Sequence, residues 1–290
     1  MLIDTHSHLN FNAFKNDADK VIKRALDNDI WLINVGSQYD TSKRAVEIAE
    51  KYPEGVYAAI GLHPLHLESR KIDETETGSL LGFKSKAEEF DYKKYKELAS
   101  SAISKQAKSK VVAIGEIGLD YYWKPKTKEK LEVFKGNQKD ALLAQLDLAK
   151  ELNLPVIFHC RMAHDNLIEI LQRPALCKIK GVIHCFTGTW EQAQKYLEMG
   201  FYLGFNGIIF KLDLDEIIEQ TPLDKILIET DCPYLTPPLH VKDLANKPFF
   251  RNEPMYIKYT VAKIAKLKNL SIKEISKITT ENAKKLFKRR

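Results

Sequence analysis

A chain of 290 residues, 44% of them hydrophobic, can bury a large core, and its ordinary Gly and Pro content without low-complexity stretches excludes a disordered protein. No apolar run approaches the roughly eighteen residues that a membrane helix needs, so no membrane contact is expected; no basic region leads into an apolar stretch at the start, so no cleavable signal is expected either. The formal charge of +6 is modest but uneven, because residues 256–290 hold eleven Lys or Arg against two Glu, which suits either a solvated helical face or a footprint for a polyanion.

Short apolar runs rich in β-branched residues alternate with segments of helical period. In chain order, strands are predicted at residues 2–5, 31–35, 56–60, 111–114, 156–158, 181–183, 202–205 and 226–228. Helices are predicted between them at 17–29, 41–51, 92–109, 135–152, 165–172, 191–199 and 213–220, followed by further helices at 255–268, 272–278 and 281–288. The strands read as apolar throughout, as expected when both faces are covered. Eight strands with intervening helices over about the 250 residues typical of the fold favour an α/β fold of one domain spanning residues 1–290, a (β/α)8 TIM-type barrel with extra C-terminal helices. An open doubly wound sheet is the rival, but Asp4-Thr5-His6-Ser7-His8 is unlike the Gly-rich phosphate fingerprint expected after its first strand. Residues 68–89 form the longest polar, non-periodic stretch; they follow the third strand and are expected on or beside the catalytic face.

The ligand-type residues fall at strand ends. His6 and His8 close the first strand, Glu116 follows the fourth, His159 closes the fifth, His184 the sixth, and Asp231 follows the eighth. Barrel enzymes build their sites at the C-terminal ends of strands, and alternate strand residues share a face, so both imidazoles of His-x-His can reach one point. Four imidazoles and two carboxylates exceed one tetrahedral site with an open position and suit two metals bridged by a carboxylate. Cys160, Cys185 and Cys232 each directly follow a proposed ligand. Strand alternation should turn Cys160 and Cys185 toward the helix layer as small buried hydrophobes. With Cys177, the four cysteines fit no CxxC pattern or disulfide framework, as expected of a reduced cytoplasmic protein.

Ile3-Asp-Thr-His-Ser-His-Leu9, Ile60-Gly-Leu-His-Pro64, Gly115-Glu-Ile-Gly-Leu-Asp-Tyr-Tyr122 and Leu152-Asn-Leu-Pro-Val-Ile-Phe-His159 with Cys160-Arg161 form one series of motifs. His184-Cys-Phe-Thr-Gly-Thr189, Glu229-Thr-Asp-Cys-Pro-Tyr-Leu-Thr-Pro237 and Arg251-Asn-Glu-Pro254 continue it. In this order they resemble the TatD family of metal-dependent deoxyribonucleases, within the amidohydrolase-like superfamily. The resemblance implies that His6, His8 and Asp231 hold one metal, that His159 and His184 hold a second, and that Glu116 bridges the two. It implies that His63 and Arg251 contact substrate phosphate, although His63 could instead support a ligand and Arg251 could pair with Glu253 in a surface loop. The departures are Cys232 and Cys160, where the family usually has small residues, and a longer 68–89 stretch.

The expected reaction is hydrolysis of DNA phosphodiester bonds by a hydroxide held between two divalent ions (Zn, Mn, Mg or Ni), with Glu116 as the bridge and Asp231 accepting the proton of the water. The expected partner is a DNA substrate, in single-stranded form if Tyr121, Tyr122, Trp123 or Tyr234 stack unpaired bases; no obligate protein partner is evident. A hydrolase of the same fold acting on an amide, an ester or an aminoacyl-tRNA bond is the main alternative, since metal hydroxide attacks a carbonyl as readily as phosphorus. A metal-stabilised barrel that binds nucleic acid through its basic C-terminal segment is the second.

Overall fold

The computed structural model describes residues 1–69, 71–72, 83–84, 87–100, 109–238 and 251–288. Its strands are β1 (Leu2–Ser7), β2 (Ile30–Val35), β3 (Val56–Ile60), β4 (Lys71–Ile72), β5 (Phe83–Lys84), β6 (Val111–Asp120), β7 (Val156–Arg161), β8 (Gly181–Ile183), β9 (Tyr202–Phe205) and β10 (Ile226–Ile228). The helices are α1 (Ala18–Leu26), α2 (Tyr39–Glu50), α3 (Tyr92–Ser100), α4 (Lys128–Leu152), α5 (His164–Leu171), α6 (Trp190–Glu198), α7 (Asp215–Gln220), α8 (Ile257–Leu267) and α9 (Ile272–Phe287). Eight strands pair in parallel in the order β1-β2-β3-β6-β7-β8-β9-β10, while β4 and β5 form a separate antiparallel pair.

The parallel sheet curls until its two ends meet. Ser7 bridges Cys232, the His8 N–H donates to the Cys232 carbonyl at 2.8 Å, the Asp231 N–H donates to the His6 carbonyl at 2.8 Å, and the Thr5 hydroxyl donates to the Ile228 carbonyl at 3.1 Å. The expected (β/α)8 barrel is therefore present. Its strands bury both faces, as their continuous apolar character requires. Ile33, Val35, Ala59, Ile157, Val182 and Leu227 pack together inside, whereas their strand neighbours Leu32, Ala58, Phe158, Ile183 and Ile228 pack against the helix layer.

The barrel interior is stoppered at the end where the strands begin. Ala283, Leu286 and Phe287 of α9 join the interior cluster, Asn282 Nδ2 donates to the carbonyls of Leu223 and Ile226, and the Thr280 hydroxyl donates to the Met1 carbonyl. Two separate C-terminal helices are expected from the sequence, with a break at Thr279-Thr280; α9 instead runs through it, because continuing the helix buries Ala283, Leu286 and Phe287 in the barrel interior, and the Thr279 hydroxyl is satisfied by the Ile275 carbonyl at 2.8 Å. Helix α9 is thus a floor whose apolar stripe fills the barrel, whereas α8 packs Ile257, Val261 and Ile264 into the helix-side core and pairs Lys263 with Asp215.

Two other expectations change. Helix α4 begins at Lys128 rather than 135, and the strand predicted at 111–114 runs on to Asp120 despite two glycines. Gly118 is needed there, since a Cβ would lie 1.9 Å from the His159 carbonyl oxygen, and its pairing with β7 continues to Asp120 opposite Arg161. Most of the 68–89 stretch, and the end of the helix predicted at 92–109, lie outside the described residues.

Because α9 closes the floor and touches no ligand-type residue, Phe287→Ala should cost about 3–5 kcal/mol of stability by leaving a cavity. Denaturant melts at constant pH check this; a change below about 1 kcal/mol would mean that the floor contributes little.

Candidate metal centre

At the opposite end, where the strands finish, a cavity of about 1530 Å³ is lined by His8, His63, Glu116, His159, His184 and Asp231 among others. Two strand irregularities aim these side chains. The β1–β2 register shifts between Asp4 and Ser7, and the β6–β7 register shifts between Ile114 and Ile117, so His6 and Glu116 each sit in a bulge that turns them toward the axis.

The six residues predicted as ligands converge. His6 Nε2 and His8 Nε2 are 3.1 Å apart, and Asp231 Oδ1 lies 3.8 Å from the first and 3.3 Å from the second. Glu116 faces this group with Oε2, at 3.4 Å from His6 Nε2, and faces the other side with Oε1, at 2.8 Å from His159 Nδ1 and 3.3 Å from His184 Nε2. His63 Nε2 is 3.4 Å from the same Oε1. Potential ligand atoms within 4.8 Å of one another come from His6, His8 and Glu116, from His6, His184 and Asp231, and from His63, Glu116 and His159.

Outer hydrogen bonds decide which ring nitrogen can take a cation. His8 Nδ1 donates to the Val35 carbonyl at 2.8 Å, His159 Nε2 to Asp120 Oδ2 at 3.0 Å, and His184 Nδ1 to Glu229 Oε1 at 2.9 Å. In each ring the lone pair is left on the nitrogen that faces the centre, the arrangement a metal ligand needs. His63 is built the other way: its Nδ1 accepts the Leu65 N–H at 3.1 Å, so the neutral ring carries its proton on Nε2 and points a donor at the site. Burial, with the neighbouring His159, lowers its pKa and favours that neutral form.

The electrostatics fit cations. Burial opposes ionisation of Glu116, yet His63, His184 and His6 together with the hydrogen bond from His159 hold its carboxyl well below the usual range. Asp231 is likewise lowered, the contacts with His8, His184 and His6 outweighing burial. Burial would lower His159, but hydrogen bonds to Asp120 and Glu116 push it up to about 9, and Glu229 and Glu116 raise His184 in the same way. Without metal the centre therefore collects protons at the points where cations would sit.

Loops are pinned around Asp231. Burial pushes Asp4 up to about 8, and its carboxyl holds the Thr230 N–H at 2.9 Å and the Thr230 hydroxyl at 2.6 Å. Asn252 Nδ2 donates to the carbonyls of Thr230 and Tyr234, at 2.8 and 2.6 Å, bracketing Asp231. Asp120, Glu229, Asp4 and Asn252 are given no role in the sequence reading. The signal was proximity alone: Asp120 lies four residues after Glu116 at the end of β6, and Glu229 lies two before Asp231 just past β10.

The structure does not bring Arg251 to the cavity. Its guanidinium makes a two-pronged pair with Asp17 at 2.6 and 2.9 Å, donates to the Ala13 carbonyl and Glu253, and lies over the Phe14 ring. Tyr121 is also elsewhere, buried against Phe134, whereas Tyr122, Trp123 and Tyr234 line the cavity. Cys160 packs in the helix-side core as expected. Cys185 does not: it follows the end of β8 with φ +46°, where strand alternation no longer applies, stays outside that core, and has Sγ 3.6 Å from Asn206 Oδ1; both cysteines border the cavity. Burial pushes both thiols up to about 12, so in the absence of metal both are protonated at neutral pH, and neither belongs to the converging groups of potential ligand atoms.

A (β/α)8 barrel whose strand ends converge on histidines and carboxylates defines a metal-dependent hydrolase. A family model described as TatD related DNase matches residues 3–288. The uncharacterized metal-dependent hydrolase YabD of Bacillus subtilis is 41% identical, with 99% of each chain covered, and the 3'-5' ssDNA/RNA exonuclease TatD of Escherichia fergusonii is 34% identical over 99% of this chain and 98% of its own. Among solved structures, the TatD homologue YjjV from Escherichia coli superposes with a TM-score of 0.77 at 28% identity, covering 99% of this chain and 98% of that one. The chain belongs to the TatD-related DNase family.

In a chelator, the thermal midpoint should fall as pH rises from 6.5 to about 9. His159 keeps its proton in the fold above the unfolded imidazole value, so its contribution is complete below 6.5 and is lost by about 9. Asp4 acts in the same direction up to about 8, because the unfolded carboxyl ionises near 3.8. Added divalent metal should flatten this slope, since cations replace the protons; equal slopes with and without metal would contradict the assignment.

Proposed function

We propose that this chain is a phosphodiesterase acting on DNA, in single-stranded form, with two divalent cations shared across Glu116. One observation carries the proposal: the two oxygens of Glu116 face two different groups of histidines, one completed by Asp231. His6, His8 and Asp231 would hold one cation, and His159 and His184 the other. The donor set is imidazole and carboxylate with protonated thiols, which suits Zn, Mn, Mg or Ni. When bound, such cations would supply positive charge at the phosphoryl oxygens and lower the pKa of a bound water. The exonuclease activity named for the 34% identical relative supports phosphorus over an acyl carbon as the centre attacked.

The side chains divide the remaining work. His63 donates its Nε2 proton to a non-bridging phosphate oxygen, offsetting charge that grows during attack. Asp231, a carboxylate at the cavity wall, accepts the proton of the water that attacks phosphorus, while the P–O bond to the leaving sugar breaks and its oxygen takes a proton from solvent. Asp120 and Glu229 hold His159 and His184 with lone pairs inward. Arg251 is left out of phosphate binding, because its donors are already engaged by Asp17 and Glu253 on the far side of the loop.

Purified protein should contain divalent metal and degrade a single-stranded oligonucleotide, and chelation should abolish both until Mn or Mg is returned. Preference for an acyl substrate in the same assay would replace the phosphodiesterase reading. Glu116→Ala should lose bound metal along with nearly all turnover, and a variant that kept both would sink the bridging role. For Asp120→Asn, with the fold intact by circular dichroism, metal affinity should drop about 10–100-fold. Titration with the metal ion checks it, and unaltered affinity would remove Asp120 from the centre.

A further inference from the structure

Among the described residues, the exposed large hydrophobic side chains are Met1, Tyr92, Tyr122, Val133, Met162, Leu212 and Ile272, and three of these, Tyr122, Met162 and Leu212, line the cavity that holds the metal ligands. Tyr122 and Met162 lie just past the ends of adjacent strands, β6 and β7, which pair as far as Asp120 opposite Arg161. The Arg161 guanidinium carbon sits 3.6 Å from the centre of the Tyr122 ring, and Trp123 meets that ring edge-on with centroids 5.3 Å apart.

This cluster is tied directly to the centre. The Tyr122 N–H donates to Asp120 Oδ1 at 2.9 Å, and Asp120 Oδ2 accepts from His159 Nε2. Among the described residues no carboxylate pairs with Arg161, although its side chain borders the cavity. A half-exposed phenol, a guanidinium stacked on it with no carboxylate partner among the described residues, and a thioether beside them form one apolar and cationic patch at the cavity mouth. Together they match one ligand chemistry, a flat π-system attached to an anion.

We propose that Tyr122 and Arg161 form a nucleobase platform on which an unpaired base next to the scissile phosphate stacks, with Met162 at its edge. This rests on the phosphodiesterase reading and adds what that reading lacks, a reason to favour unpaired strands: a base held in a duplex cannot leave its stack to reach the platform. Arg161 serves both parts of the nucleotide, its plane toward the base and its free donors toward the adjoining phosphate.

The test compares kcat/KM on a single-stranded oligodeoxynucleotide with that on the same strand carrying abasic tetrahydrofuran residues, both with Mn²⁺. The wild-type protein should favour the base-bearing strand by about ten-fold, the range of a single base–aromatic stack. Tyr122→Leu, which keeps bulk but no π-face, should bring that ratio close to one, while Tyr122→Phe should retain it; circular dichroism and bound metal establish that each variant is folded. A wild-type protein that cleaves oligonucleotides without preferring bases, or a Leu variant that keeps the preference, overturns the platform and leaves the phosphodiesterase reading standing. Failure of the wild-type protein to cleave either strand overturns both.

Discussion

The structure depends on a carboxylate held where a carboxylate is least welcome. Glu116 is 5% exposed and still ionised, and an isolated buried charge of this kind would neutralise or unfold its surroundings. Imidazoles on four strand ends offset it, and a divalent cation at this point would do so more strongly. The bulge in β6 that points Glu116 inward, the close approach allowed by Gly118 and the outer carboxylates of Asp120 and Glu229 all serve this one burial.

Closure of the barrel and construction of the centre are the same event. The seam between β1 and the residues after β10 is formed by Ser7 with Cys232, His8 with Cys232 and His6 with Asp231, so the backbones that carry three of the ligand-type residues zip the sheet shut. Asp4 and Asn252 grip Thr230 from opposite directions, and Arg251 fastens the segment bearing Asn252 to α1 through Asp17. A residue far along the chain can thus matter to the centre without touching a ligand atom: it sets where the Asp231 loop lies. In this setting the Arg251-Asn-Glu-Pro254 motif is an anchor.

The two ends of the barrel are made for different purposes. One is filled by Ala283, Leu286 and Phe287 and clad in lysines; the other is open, polar and rich in exposed apolar groups. Stability rests with the floor and chemistry with the mouth, the division expected of this fold. Positive charge near the C-terminus is divided between α8 in the helix layer and α9 on the floor, so only part of it lies at the end remote from the cavity.

Much was legible from residue order. Alternation of β-branched runs with helical periods predicts the barrel, since strands covered on both faces must be apolar throughout, and several strand limits (56–60, 181–183, 202–205, 226–228) agree with those observed. Ligand-type residues placed at strand ends predict convergence, because closing a parallel sheet brings those ends to one rim. What the linear chain could not specify were choices made by partners distant in sequence. Which nitrogen of His159 or His63 faces inward depends on Asp120 and on the Leu65 N–H; the engagement of Arg251 depends on Asp17; and the union of two predicted helices into α9 depends on a barrel interior that needed filling. Composition and periodicity determined the class of fold and its ligand inventory because these follow from local preference and pattern. Tautomer, ion-pair partner and the exposure of Tyr122 were decided only by tertiary structure, because each is a contact between segments that no local rule relates.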